Sequence, residues 1–160
     1  MRSMDEYRAF LVEFGKMIGM DNLNDEGGLT TFRIDDKYNV NLQYIEATGK
    51  VLCFIELMEL PKDAPKVVYR DLLIGGLFGS DTAGGYFTLE GDSEIVIYNY
   101  FFDGDMIAQD IDDFIASLEK ILSLCDIWVD RINGLIENQE SNVDQESNSS
   151  FTPINNMIQA

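Results

Sequence analysis

Apolar positions along the chain change period several times, and each change marks an element. Tyr7, Phe10, Leu11, Phe14, Met17 and Ile18 recur at three- and four-residue steps. Asp5, Glu6, Arg8, Glu13 and Lys16 fall between them, which predicts an amphipathic helix with one buried stripe. Turn residues over 22–28 end it, and Leu29–Ile34 reads as a short strand closed by Asp35-Asp36-Lys37. From Tyr38 the period becomes two: Tyr38, Val40, Leu42 and Tyr44 point one way, Asn39, Asn41 and Gln43 the other. After a Thr48-Gly49 turn, residues 50–60 form a third strand. Its first half is apolar on both faces, so it is expected to be central and covered.

Pro61 ends that strand. Asp63 is expected to cap a second helix with Pro65 in its first turn and Val68, Leu72, Leu73 and Leu77 on its apolar side. Gly75, Gly76 and Gly79 either close this helix or let another backbone approach. Tyr86–Glu90 and 95–102 then predict a hairpin around Gly91-Asp92. The last helix is the clearest, with Ile107, Ile111, Phe114, Ile115, Leu118, Ile121, Leu122, Cys125, Trp128, Val129 and Ile132 on one face. Asp105 is its expected N-cap and Asn133-Gly134 its expected stop, a span of about 42 Å. Residues 138–160 are rich in Asn, Ser, Gln and Glu without Lys or Arg and are expected to form a disordered tail, leaving 1–137 as one domain. The order α-β-β-β-α-β-β-α predicts an α+β fold with a twisted antiparallel sheet flanked by helices.

Composition narrows the function. The 160 residues include 29 acids against 11 bases, a net charge of −18, and no histidine. Such acidity argues against nucleic acid and against an anionic membrane surface as partners. Without histidine there is no His-based triad, general base or metal ligand. Cys53 and Cys125 lie in apolar segments and read as small hydrophobes. No apolar run approaches the ~20 residues of a membrane span, and the chain reads as soluble and cytoplasmic.

Candidate chemistry is thin. Asn22, Asn24, Glu26 and Gly27 imitate the start of a calcium loop, but its twelfth position is Arg33 where a bidentate Glu is needed. Asp103, Asp105, Asp110, Asp112 and Asp113 offer oxygen ligands yet read as the solvated start of a helix. The run from Gly75 to Ser80 lacks the lysine of a phosphate loop. The sequence therefore predicts no catalytic residue, metal or cofactor, and no enzyme.

Several stretches together carry a resemblance. They are the opening amphipathic helix and the strand end Leu57-Met58-Glu59-Leu60-Pro61. Asp71-Leu72-Leu73-Ile74-Gly75-Gly76-Leu77-Phe78-Gly79 follows, running into Gly84-Gly85-Tyr86-Phe87-Thr88-Leu89. The long closing helix with Trp128 near its end is last. In this order and spacing, over about residues 4–135, the chain resembles the class I, effector-specific chaperones of bacterial type III secretion, the Tir-chaperone family. It departs from them in having Gly75-Gly76 where Ala-Asn is frequent, and in the longer polar tail.

The resemblance implies a homodimer in the bacterial cytoplasm that holds the N-terminal segment of a secreted effector in extended form, with the secretion apparatus ATPase as a further partner. It places Phe14, Leu29, Phe32 and Ile34 in the client groove and Leu72, Gly76, Leu77 and Phe87 in the dimer interface. The competing expectation is an acidic immunity or antitoxin-like inhibitor that plugs a folded, basic partner.

Overall fold

Ser3 starts the first helix, α1 (Met4–Met17), by accepting the Glu6 backbone N–H at 3.3 Å, with acids in the first turn and Lys16 in the last. The structure, a computed structural model, describes residues 1–149, with side chains through residue 138. Tyr7, Phe10, Leu11 and Phe14 are buried as their spacing predicts, whereas Met17, on the final turn, is exposed.

Five strands follow: β1 (Leu29–Ile34), β2 (Tyr38–Ile45), β3 (Lys50–Glu59), β4 (Tyr86–Glu90) and β5 (Ile95–Asp103). They form one sheet in the order β1-β2-β3-β5-β4, antiparallel throughout. The β1–β2 turn is tight because Asp35 and Asp36 adopt φ of 52° and 53°, a region aspartate tolerates better than most residues. α2 (Lys66–Gly75) leads through a single 3-10 turn (Leu77–Gly79) into β4, while α3 (Gly104–Gln109) and α4 (Ile111–Ser149) follow β5.

The core lies between one sheet face and the helices α1 and α4. Phe14 is its centre, with the rings of Phe10, Phe32 and Phe114 at 5.8, 5.6 and 5.1 Å. Tyr7 ties α1 to the sheet by donating its hydroxyl to the Leu42 carbonyl at 3.0 Å, and burial pushes its pKa up to about 12. A smaller cluster of Leu60, Val68, Val96 and Ile132 holds α2 to the distal part of α4.

The α+β order is the expected one, but four details differ. β3 is central yet covered on one face only: Val51, Cys53 and Ile55 are buried while Leu52 and Phe54 stay half-exposed, because the helices pack on a single side. Asp63 does not cap α2; the extended Pro65 (φ −61°, ψ 141°) precedes it without a side-chain cap. The closing helix is broken at Asp110, and the cap before it is Asp103, which accepts the Asp105 and Met106 N–H groups. Helix α4 also runs through Asn133-Gly134 to Ser149. Leu135 and Ile136 continue its apolar face onto the smaller cluster, which offsets the ~1 kcal/mol helix cost of a glycine. The expected tail thus begins on α4, and residues 150–160 lie outside the described residues.

Candidate functional site

Where the end of α1, the β1–β2 turn and the middle of α4 converge, they leave a cleft of about 480 Å³. Phe14, Ile18, Ile34, Tyr38, Ile115 and Leu122 give it apolar walls, and Arg33, Lys37, Glu119 and Asp126 surround it with charge. Lys37 and the Tyr38 hydroxyl both donate to Asp126 Oδ1, linking the hairpin to α4. That pairing, with Lys37 the larger cause, holds the Asp126 carboxyl below the usual range, while burial above all raises the Tyr38 phenol.

The cleft lies beside an open sheet edge. Tyr44 N–H bonds to Gly28 C=O at 2.9 Å, so by alternation Thr30, Phe32 and Ile34 bond to β2 while Leu29, Thr31 and Arg33 turn their backbone groups outward. Leu29 is already taken: its N–H and C=O exchange bonds with Glu26 at 3.2 and 2.9 Å. Thr31 and Arg33 are exposed and have no ladder partner on that side among the described residues.

Asp25 secures the loop before β1. It accepts from Arg8 Nε at 2.8 Å and from the Gly28 N–H at 3.1 Å, and the Arg8 bond is the chief reason its carboxyl is held below the usual value. A depressed folded pKa stabilises above the unfolded pKa of about 4 and is lost as pH falls through the folded value. Asp25→Asn is therefore expected to make the acid limb of the stability profile shallower below about pH 4. Urea midpoints measured across that range check this.

Of the four client-groove residues expected from sequence, Phe14 and Ile34 line the cleft, and Phe32 is buried behind it against Phe14. Leu29 falls on the opposite sheet face, in register with Gln43, because side chains alternate along β1. Sequence reading missed Ile18 and Leu122 as walls, although both belong to apolar helical stripes; nothing local shows which part of a stripe is left uncovered.

The four residues expected from sequence in a dimer interface gather at the other end. Leu72 and Phe87 line an apolar groove of about 160 Å³ between α2 and β4, with Tyr69, Leu73, Thr88 and Leu89. Phe87 also packs inward on Trp128, at 4.6 Å between centroids. Beside the groove, Leu73, Ile74, Leu77 and Phe78 are exposed, and Phe78 is 96% exposed with φ 57°. Within the chain, a Cβ at half-buried Gly76 would meet nothing nearer than the Leu73 carbonyl oxygen at 3.6 Å, whereas Gly75 lies directly against Trp128.

Both thiols are free and buried, and burial raises their pKa, that of Cys125 to about 12. Among the described residues no group of three Cys, Asp or Glu is placed to hold a metal ion, and no helix is long and apolar enough to cross a membrane.

The family model of the Tir chaperone protein (CesT) family matches residues 9–123. A Chlamydia pneumoniae protein, CPj0713/CpB0740, is 26% identical over 106 residues, covering 66% of this chain and 78% of its own length. Among solved structures, a chain of the ExsC-ExsE complex superposes with a TM-score of 0.70 at 18% identity, covering 81% of this chain and 95% of that one. A chain of the HopA1-SchA chaperone-effector complex gives 0.59 at 22% identity, covering 84% and 98%. The Yersinia pestis type III secretion chaperone SycH, solved with a fragment of YscM2, gives 0.54 at 21% identity, covering 74% and 98%. These structures share the fold.

Proposed function

The chain belongs to the Tir chaperone protein (CesT) family, and on that footing we propose that it is a homodimeric, effector-specific type III secretion chaperone of the bacterial cytoplasm. Its client is the N-terminal segment of a secreted effector, held extended and competent for export. The observation that carries this reading is the apolar cleft of about 480 Å³ lying beside the bare edge of β1. An extended segment gains main-chain bonds from Thr31 and Arg33 and sends alternate side chains toward Ile34, Ile18 and Leu122. A segment bound in this way cannot fold upon itself. Self-repulsion at a net charge of −18 keeps the uncovered apolar surface from aggregating.

The test is co-expression with the first hundred or so residues of the proteins encoded by the neighbouring genes. Ile34→Asp puts a carboxylate into the cleft wall, is half-buried in the free protein, and is expected to abolish co-purification while the thermal midpoint moves little. Unchanged capture by that variant would remove the groove assignment. Capture of a folded basic protein instead would favour the inhibitor reading. Client affinity is also expected to fall with salt.

In this proposal the molecule self-associates through α2 and the 3-10 turn. An L-residue in the left-handed region costs roughly 1–2 kcal/mol, and Phe78 is held there with its ring in solvent. Such an arrangement is reasonable where the ring is covered by a second copy. Phe78→Gly relieves the backbone and deletes the ring, so it is expected to yield a monomer at least as resistant to urea as the parent. A dimer mass unchanged on light-scattering chromatography would discard the interface.

A further inference from the structure

Strand β5 outruns its neighbour. Residues 95–99 pair with β4, but residues 100–103 extend past Tyr86, where β4 pairing begins, and among the described residues they pair only with β3. Gly104 N–H bonds to Gly49 C=O at 3.0 Å, so alternation gives Phe102 and Tyr100 to β3. Phe101 is left with both its N–H and C=O directed to the side where β4 is missing, and Asp103 with its N–H. This is a second bare edge, at the opposite end of the ladder from β1.

The bare stretch borders a pocket of about 270 Å³. Its floor is aromatic: Phe102 meets Phe114 at 5.0 Å and Tyr100 at 4.7 Å between centroids. Its rim carries Asp103, Asp110 and Asp113, all exposed. Asp103 and Asp110 each use Oδ1 to cap backbone N–H groups, and among the described residues none of the three has a cationic partner. They are not grouped to hold a metal ion. On the other face of the strand, Phe101 is exposed in register with half-buried Leu52.

We infer that the bare half of β5 accepts an extended segment in which basic residues alternate with apolar ones. Strand periodicity sends one set of its side chains to each face. Arginine or lysine stems lie along the aromatic floor with their charged heads among the three carboxylates. The apolar set rests on Phe101 and Leu52, and Phe101 supplies the main-chain bonds. This inference rests on the chaperone reading and extends it: a client engages the molecule at two separate edges, and the second selects for positive charge.

The probe is the acetylated, amidated pentapeptide VRVRV, titrated into the isotope-labelled full chain, with VEVEV as the control. Saturable amide shifts are expected at Phe101, Asp103 and Ser117 with VRVRV and not with VEVEV. The double variant Asp110→Asn/Asp113→Asn is expected to bind about tenfold more weakly, since an asparagine at 110 still caps α4. Equal affinity in that variant, equal shifts from VEVEV, or shifts confined to Ile34 and Leu122 would overturn the inference. In the last case, with effector capture intact, the chaperone reading survives; absence of shifts together with absence of capture removes both.

Discussion

Gly75→Ala is expected to destabilise the protein by about 1–2 kcal/mol, although alanine is the better helix former. In an exposed helix the same exchange stabilises by roughly 1 kcal/mol, and Gly75 has no positive φ that would penalise a side chain. The sign reverses because a Cβ there would overlap Cζ2 and Cη2 of Trp128. The indole has no room to retreat. Its Nε1 donates to the Asp81 carbonyl at 3.0 Å, Phe87 packs against it edge-on, and the Arg131 guanidinium covers its ring at 4.7 Å. Arg131 is fixed in turn by its two bonds to Asp71 on α2. Overpacking at such a site costs about 1–3 kcal/mol, which outweighs the helix gain of roughly 1 kcal/mol that offsets part of it. Trp128 is the sole tryptophan, so urea unfolding followed by its emission reports the change directly. Gly76→Ala is the matched control, expected to be neutral or slightly stabilising because a Cβ there makes only ordinary contacts, the nearest at 3.6 Å. Equal midpoints for the two variants would sink the account.

Phe14→Ala is expected to cost about 3–5 kcal/mol, the usual range for a large aromatic deleted from a packed core. Phe14 is fully buried and meets Phe10, Phe32 and Phe114 within 6 Å. In a chain of this length such a loss lowers the melting temperature by roughly 10–15 °C. The contrast with Ile34→Asp separates two kinds of cleft residue. Phe14 forms the back wall and supports the fold; Ile34 is only half-buried and is free to meet a client. A Phe14→Ala protein that melts like the parent but fails to hold client would reverse this division.

The alternation Tyr38, Val40, Leu42 and Tyr44 predicted both the strand and its buried face, and burial follows it. The one addition is Asn41, buried because its amide bonds to Thr31 Oγ1 and the Phe54 carbonyl. The glycine pair shows the limit of such reading. Composition drew attention to close approach near residues 75–79, but whether Gly75 or Gly76 meets a neighbour depends on Trp128, over fifty positions away. Leu29 likewise belongs to a correctly read strand and points away from the cleft, a matter of register.

What the chain determined locally is therefore the succession of helices and strands, their apolar faces and the strong negative charge. These follow from periods of two and of about 3.6, which neighbours in sequence enforce. Which edges stay open was decided only by the tertiary structure. β5 sits between β3 and β4, Glu26 closes the edge at Leu29 but not at Thr31, and β4 stops where Phe101 begins. Those outcomes depend on relative strand lengths and on partners distant in sequence, and a backbone N–H has the same chemistry in the chain whether or not a neighbouring strand reaches it.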